Sequence, residues 1–212
     1  GLEAARVAAS RGHSVTLVEA GPEVGGAFRL AGLQPRRAQI LDLIAWYERQ
    51  LAQLGVDVQV NTPFDDADVS AFGADEVVVA TGSQPDPNGF QRSLPTQDVL
   101  PGVDRPDVCS IEDVLAHRVR PGERVVVLGD VGDWRGTGTA WFLAERGHRV
   151  TIVSSWPLVG YFIQRTAGDW ELRARLAQLG VDWQTEAVVT AWDDDGAHVR
   201  SYLDGTEHVI AA

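Results

Sequence analysis

Two decapeptides, RGHSVTLVEA from Arg11 and RGHRVTIVSS from Arg146, constrain this chain more than any other feature. A repeat of this kind within 212 residues means that one supersecondary unit occurs twice. At an offset of 135 the match extends, residues 4–22 lying over residues 139–157. Each copy reads as a helix of mostly small residues stopped by a glycine, Gly12 or Gly147. An apolar strand follows at once, over 15–18 or 150–153. A second shared stretch, LAQLGVD, begins at Leu51 and at Leu176, each time closing an amphipathic helix. In the first of these helices Ile40, Leu41, Leu43, Ile44, Tyr47, Leu51 and Leu54 recur at helical spacing.

Short apolar strands alternating with helices predict an α/β fold with parallel sheets. The expectation is two tandem Rossmann-like units, residues 1–92 and 93–212, meeting near the proline-rich connection 83–107. At the same offset Gly1 falls on Gly136. Before Gly136 the second unit has a buried strand, 125–128, and a glycine-rich turn that opens a helix. Nothing in the sequence precedes Gly1. The first unit is therefore expected to be incomplete at its N-terminus, keeping only the third glycine of its loop, and the chain reads as an internal fragment. The lack of any Met agrees with this.

The strand after a phosphate-binding turn commonly ends in a carboxylate that accepts hydrogen bonds from a ribose diol. Glu19 stands there in the first unit and Ser154 in the second. A hydroxyl cannot make the bidentate diol contact, and no Arg follows closely to receive a 2′-phosphate. The second turn is also long. Gly129 to Gly136 spans seven positions, two more than GxGxxG, and includes Asp130 and Asp133. Two carboxylates oppose a pyrophosphate at that helix N-terminus. One reading is a degenerate site whose Gly132, Gly136 and Gly138 serve packing and the turn; the other is a working NAD(P)H site. In the first unit the pair Gly25–Gly26 lets backbone approach a ligand closely. The stretch DEVVVATGSQPDP from Asp75 predicts a buried strand ending at Ala80, Thr81 and Gly82.

Composition removes several classes. Net charge is −12, which opposes a nucleic-acid surface. No Lys is present, so Lys-based chemistry is excluded. The one cysteine, Cys109, can form neither an intrachain disulfide nor a metal site of several thiolates, and reads as a small buried apolar residue. No apolar run approaches a membrane span and no leader is evident, so the expectation is a cytoplasmic protein without membrane or nucleic-acid partners.

The order of helix, VTLVEA, paired glycines, long helix and VVVATGSQP, then a second VVVLG unit, resembles the flavoprotein reductases with two dinucleotide-binding domains. It most resembles the C-terminal part of the NADH:flavin oxidoreductase family, the type of trimethylamine and histamine dehydrogenases, 2,4-dienoyl-CoA reductase and N-methylproline demethylase. The resemblance covers essentially the whole chain. It implies FAD, or ADP alone, lined by Gly1, Glu19, Gly25, Gly26, Arg29, Ala80, Thr81 and Gly82. It puts any NAD(P)H at Gly129, Gly132, Gly136 and Gly138, in a unit that is vestigial in the dehydrogenase branch. It further implies an N-terminal flavin-bearing barrel with FMN and a 4Fe-4S cluster, none of it within these residues. Ala27 departs from the Gln or His that many relatives carry. The function so implied is that of a flavin-dependent oxidoreductase, acting on an amine or an enoyl substrate, whose catalytic residues lie elsewhere. The other reading is a non-catalytic docking module beside a carrier such as electron-transferring flavoprotein.

Overall fold

A computed structural model describes residues 1–212, which divide into two compact units, Gly1–Gln84 and Pro85–Ala212. The first runs α1 (Leu2–Ser10), β1 (Thr16–Val18), α2 (Gly26–Gly32), α3 (Gln39–Gln53), β2 (Asp57–Gln59) and α4 (Asp66–Phe72). β1 and β2 pair in parallel, with Leu17 opposite Val58. Of the apolar stripe expected on α3, Ile40, Ile44 and Leu51 are buried, while Leu43 and Leu54 are exposed. Leu51 packs with Ala5 of α1 and Val56, while Ile40 and Ile44 pack with Val24. Leu2 and Leu17 border both clusters and tie α1 and α3 to the sheet.

The second unit runs α5 (Ile111–Leu115), β3 (Arg124–Leu128), α6 (Trp134–Ala144), β4 (Arg149–Val153), a 3₁₀ turn (Tyr161–Thr166), α7 (Asp169–Gln178) and β5 (Asp182–Gln184). β6 (Ala187–Asp193), β7 (Gly196–Ser201) and β8 (Glu207–Ile210) follow. β4 is the centre of a parallel sheet ordered β3-β4-β5, with Val127 opposite Ile152. Successive side chains of a strand point to opposite faces, and here each face has its own core. Val127, Val150 and Ile152 join the helices α5, α6 and α7. Val126, Leu128 and Val153 join Ala187, Val189 and Val199 of the antiparallel sheet β6-β7-β8. That sheet departs from the expected parallel pairing for a local reason. Turns of a few residues, such as Asp194 and Asp195 between β6 and β7, reverse the chain too soon for a parallel crossover.

The sequence repeats are repeats of hydrogen bonding. After α1, His13 and Gly12 donate to the carbonyls of Ala8 and Ala9; after α6, His148 and Gly147 donate to those of Leu143 and Ala144. After α3 and α7 the LAQLGVD copies do likewise, Val56 and Gly55 to Leu51 and Ala52, Val181 and Gly180 to Leu176 and Ala177. All four are Schellman stops, and the glycines take the positive φ that the motif requires.

One expected strand does not form. Residues 75–82 carry no strand, and Val77, Val78 and Val79 are 51, 71 and 81% exposed. An apolar run becomes a strand only with a neighbouring backbone to pair with. β1 is bonded to β2 alone, so nothing here completes a ladder with 77–79.

The proline-rich connection, in contrast, is fastened to the second unit. Gln91 is buried and pairs with β6 as a strand would: its Nε2 donates to the Val189 carbonyl at 2.6 Å and its Oε1 accepts from the Val189 N–H at 3.0 Å. Trp192 donates its N–H to Pro101. Gly102, at φ +80°, lies so close to Trp192 that an added Cβ would collide with its carbonyl oxygen. Gln91→Ala leaves both Val189 backbone groups without that partner and is expected to destabilise the second unit by roughly 1–3 kcal/mol. Urea denaturation with Trp fluorescence checks this; an unchanged midpoint would show that water replaces the amide at no cost.

Candidate functional site

In the second unit the carboxyl ends of β3 and β4 meet the first turn of α6, the position where nucleotides dock on parallel sheets. Absence of side chains creates the junction. A Cβ on Gly136 would stand 3.3 Å from the Gly129 Cα, and one on Gly129 would stand 3.1 Å from the Ile152 side chain. Gly132 turns the chain at φ +72°, and Gly138 is buried within α6.

The polar groups of this junction are used internally. Asp133 caps α6, its carboxylate accepting from the Arg135 N–H at 2.8 Å. The Asp130 carboxylate accepts from the Ser155 hydroxyl and from the Arg92 N–H, both at 3.0 Å. Ser154 is buried and donates its hydroxyl to the Gly129 carbonyl at 3.1 Å. Phe162 donates its N–H to the Gly132 carbonyl at 3.0 Å.

Over the turn sits an aromatic group that the sequence reading did not single out. The Trp156 indole N–H donates to the Asp130 carbonyl at 2.7 Å. Its ring stacks on Tyr161 with centroids 4.6 Å apart and planes at 11°, and meets Phe162 edge-on at 4.7 Å. The Arg92 guanidinium lies 3.7 Å from its centroid. The signal available was the repeat itself, since Trp156 takes the place of Gly21 in the offset that pairs Glu19 with Ser154.

In the first unit Glu19 follows β1 and is half-buried. Its Oε1 accepts from the Gly21 N–H at 2.8 Å and it makes no other side-chain hydrogen bond. Gly1 precedes α1 and lies against Ala80, a Cβ added there standing 3.5 Å from the Ala80 Cβ. Gly25 and Gly26 both hold positive φ, 109° and 46°, and space is open around Gly26. A Cβ on Gly25 would touch Ile44 at 3.0 Å. Arg29 is committed to its own neighbourhood, with Nε on the Val24 carbonyl and its terminal nitrogens on Glu48 at 2.9 Å and Glu23 at 3.6 Å. Thr81 and Gly82 are exposed in the unpaired segment. Glu19 thus stands at the end of β1, Gly25 and Gly26 open α2, and Gly1 and Ala80 adjoin one another.

Two α/β units, each with a glycine at the start of a helix and a polar residue closing the following strand, define a dinucleotide-binding protein. Residues 56–212 match the pyridine nucleotide-disulphide oxidoreductase family, and the chain belongs to it. N,N-dimethylglycine/sarcosine dehydrogenase of Chromohalobacter salexigens is 40% identical over 154 residues, 73% of this chain and 22% of that protein. Cinnamate reductase of Clostridium sporogenes is 41% identical over 153 residues, 72% of this chain and 21% of the reductase. The structure of histamine dehydrogenase from Rhizobium sp. 4-9 matches with a TM-score of 0.89 at 28% identity, covering all of this chain and 33% of that one. The relatives are of the type that the VEA, GGAFRLA and ATGSQP stretches resemble, and the chain spans between about a fifth and a third of their length.

The family's name includes disulphide chemistry, for which a single cysteine is insufficient. Cys109 is exposed, against the expectation of burial, because it lies at the end of the loop just before the Ser110 cap of α5. Partial desolvation, and then the nearby Asp113 carboxylate, push its thiol above the usual cysteine range. A raised pKa leaves less thiolate at neutral pH. Alkylation of Cys109 by iodoacetamide, followed by mass spectrometry from pH 7 to 10, is therefore expected to lag behind free cysteine, with its midpoint at higher pH. A midpoint below that of free cysteine would contradict the assignment.

Proposed function

We propose that this chain is the nucleotide-binding portion of a longer flavin-dependent oxidoreductase, in which the first unit holds an adenine nucleotide and the second holds none. The observation that carries the reading is the contrast at one repeat position. Glu19 is half-buried and uses one carboxylate oxygen, on the Gly21 N–H, whereas Ser154 is buried and bonded to Gly129. In the first unit Glu19 would accept the ribose hydroxyls of FAD or of ADP, and the amides near Gly1, Gly25 and Gly26 would face its phosphates. When bound, a flavin supplies the two-electron chemistry.

The run 77–79 is exposed and unpaired, and Gly1 lies against Ala80. A further strand, supplied by the longer protein, would pair with it. That strand and its turn would complete the phosphate site. The relatives' names cover both amine oxidation and alkene reduction. A second unit closed to NAD(P)H favours amine oxidation, with electrons leaving to a protein acceptor such as electron-transferring flavoprotein. FMN and a 4Fe-4S cluster would then belong to a barrel domain outside this chain.

Two measurements on the full-length protein test this. Glu19→Ala is expected to weaken ADP binding by about 1.5–3 kcal/mol, the usual worth of a charged hydrogen-bond acceptor; calorimetry showing unchanged affinity would remove Glu19 from the site. Anaerobic spectra are expected to show the flavin bleached by a secondary or tertiary methylamine and unaffected by NADH or NADPH. Bleaching by NADPH alone would replace the dehydrogenase reading with a reductase.

A further inference from the structure

At the offset of 135 Trp156 stands where the first unit has Gly21, as Tyr161, the ring it stacks on, stands where the first unit has Gly26. In the first copy Gly21 follows the strand-end acid and has only backbone to offer, its N–H bonded to Glu19 and its carbonyl to the Asn61 N–H. In the second, an indole leaves the same position and lies on the turn, so that a Cβ at Gly132 would meet its Cδ1 at 2.9 Å. Glycine in a nucleotide turn lets a ligand come up against the backbone. Here an internal side chain has come up instead.

We propose that Trp156 decides dinucleotide access to the second unit: its indole stands in for the ligand and holds the turn closed to NADH and NADPH. The inference rests on the reading that this unit takes no NAD(P)H. The ring is held as a bound adenine would be, stacked on Tyr161 at 4.6 Å beneath the Arg92 guanidinium at 3.7 Å. Its indole N–H satisfies the Asp130 carbonyl. Aromatic and cation–π contacts of this kind cost a ligand their full value when it must displace them. The contact with Gly132 leaves no room for both indole and phosphate. Ser154 reinforces the closure, since its hydroxyl also accepts from the Trp156 N–H at 3.3 Å and so orients the residue as well as tying the turn to β4. The carboxylates Asp130 and Asp133 oppose an anion near the same turn, but they are bonded to Ser155, Arg92 and Arg135, and the atoms nearest a Cβ at Gly132 are those of the indole. The indole is the steric element.

Trp156→Gly restores the residue of the first copy and frees Tyr161 and Arg92 to take a purine ring. Titration of the full-length protein with NADH and with NADPH, by calorimetry and by nicotinamide fluorescence, reads the outcome without relying on turnover. The variant is expected to bind at least one of the two about tenfold or more tighter than the parent. Arg92→Ala removes only the outer, exposed face of the sandwich and is expected to give a smaller gain, about threefold. Trp156→Phe, which keeps a ring on Tyr161, is expected to stay closed. If the parent protein itself binds NADH tightly, both this inference and the closed reading of the second unit fail. If the parent binds neither nucleotide and neither Trp156→Gly nor Arg92→Ala gains affinity, the closed reading stands and Trp156 is not its cause. Should Trp156→Gly lose its near-ultraviolet circular dichroism, the Arg92→Ala titration decides: no gain overturns the proposal.

Discussion

Everything in the second unit depends on the approach of two backbones, the start of α6 and the turn leaving β3. With Gly136 a few ångströms from the Gly129 Cα, there is no room for a methyl group without displacement. That contact brings the helix N-terminus up to the sheet, and with it the Asp133 cap, the Gly132 turn and the end of β4. A junction so close has two possible uses. It can present bare amides to a phosphate, or it can bond them within the protein. Here the Asp133 carboxylate takes the Arg135 N–H and the Val153 carbonyl takes the Gly129 N–H, while Ser154 and Phe162 fasten the turn by donating to the Gly129 and Gly132 carbonyls.

The tandem units show which parts of a fold tolerate change. Their helix stops are conserved in geometry down to donor and acceptor, because a positive-φ glycine and two carbonyls specify one local solution. The residues just past the strand ends are under no such constraint. Glu19 and Ser154 occupy equivalent positions with opposite consequences, one carrying an acceptor to the surface and one drawn inward to close a backbone bond. Divergence is concentrated where the scaffold does not need the side chain.

The helices α1, α3, α6 and α7 and the strands β1, β3 and β4 were legible in the sequence, because the helices end at glycines and the strands are short apolar runs. The same reasoning overreached at 75–82, where Val77, Val78 and Val79 have the composition of a strand but lack a partner backbone. Composition records propensity; pairing is a property of what lies alongside. The site was legible to a lesser degree. The glycines and Glu19 could be placed by spacing, and the caution about Asp130 and Asp133 came from charge alone. Arg92, Tyr161 and Phe162 could not be found that way, since their meeting at Trp156 depends on a loop bonded to β6 through Gln91 and on a 3₁₀ turn brought back over Gly132. Nor does any spacing rule reveal that Arg29 spends its guanidinium on Val24, Glu48 and Glu23.

The bare run at Val77, Val78 and Val79 also governs how these residues behave in bulk. A row of unpaired amides and carbonyls with β-branched side chains is a template onto which another extended segment can add. Proteins usually blunt such edges with lysines, prolines or bulges, and here the charges stop at Asp75 and Glu76 while the first proline comes only at Pro85. Wherever such an edge stands open, the −12 net charge opposes pairing between copies, and a neighbouring strand removes the hazard altogether.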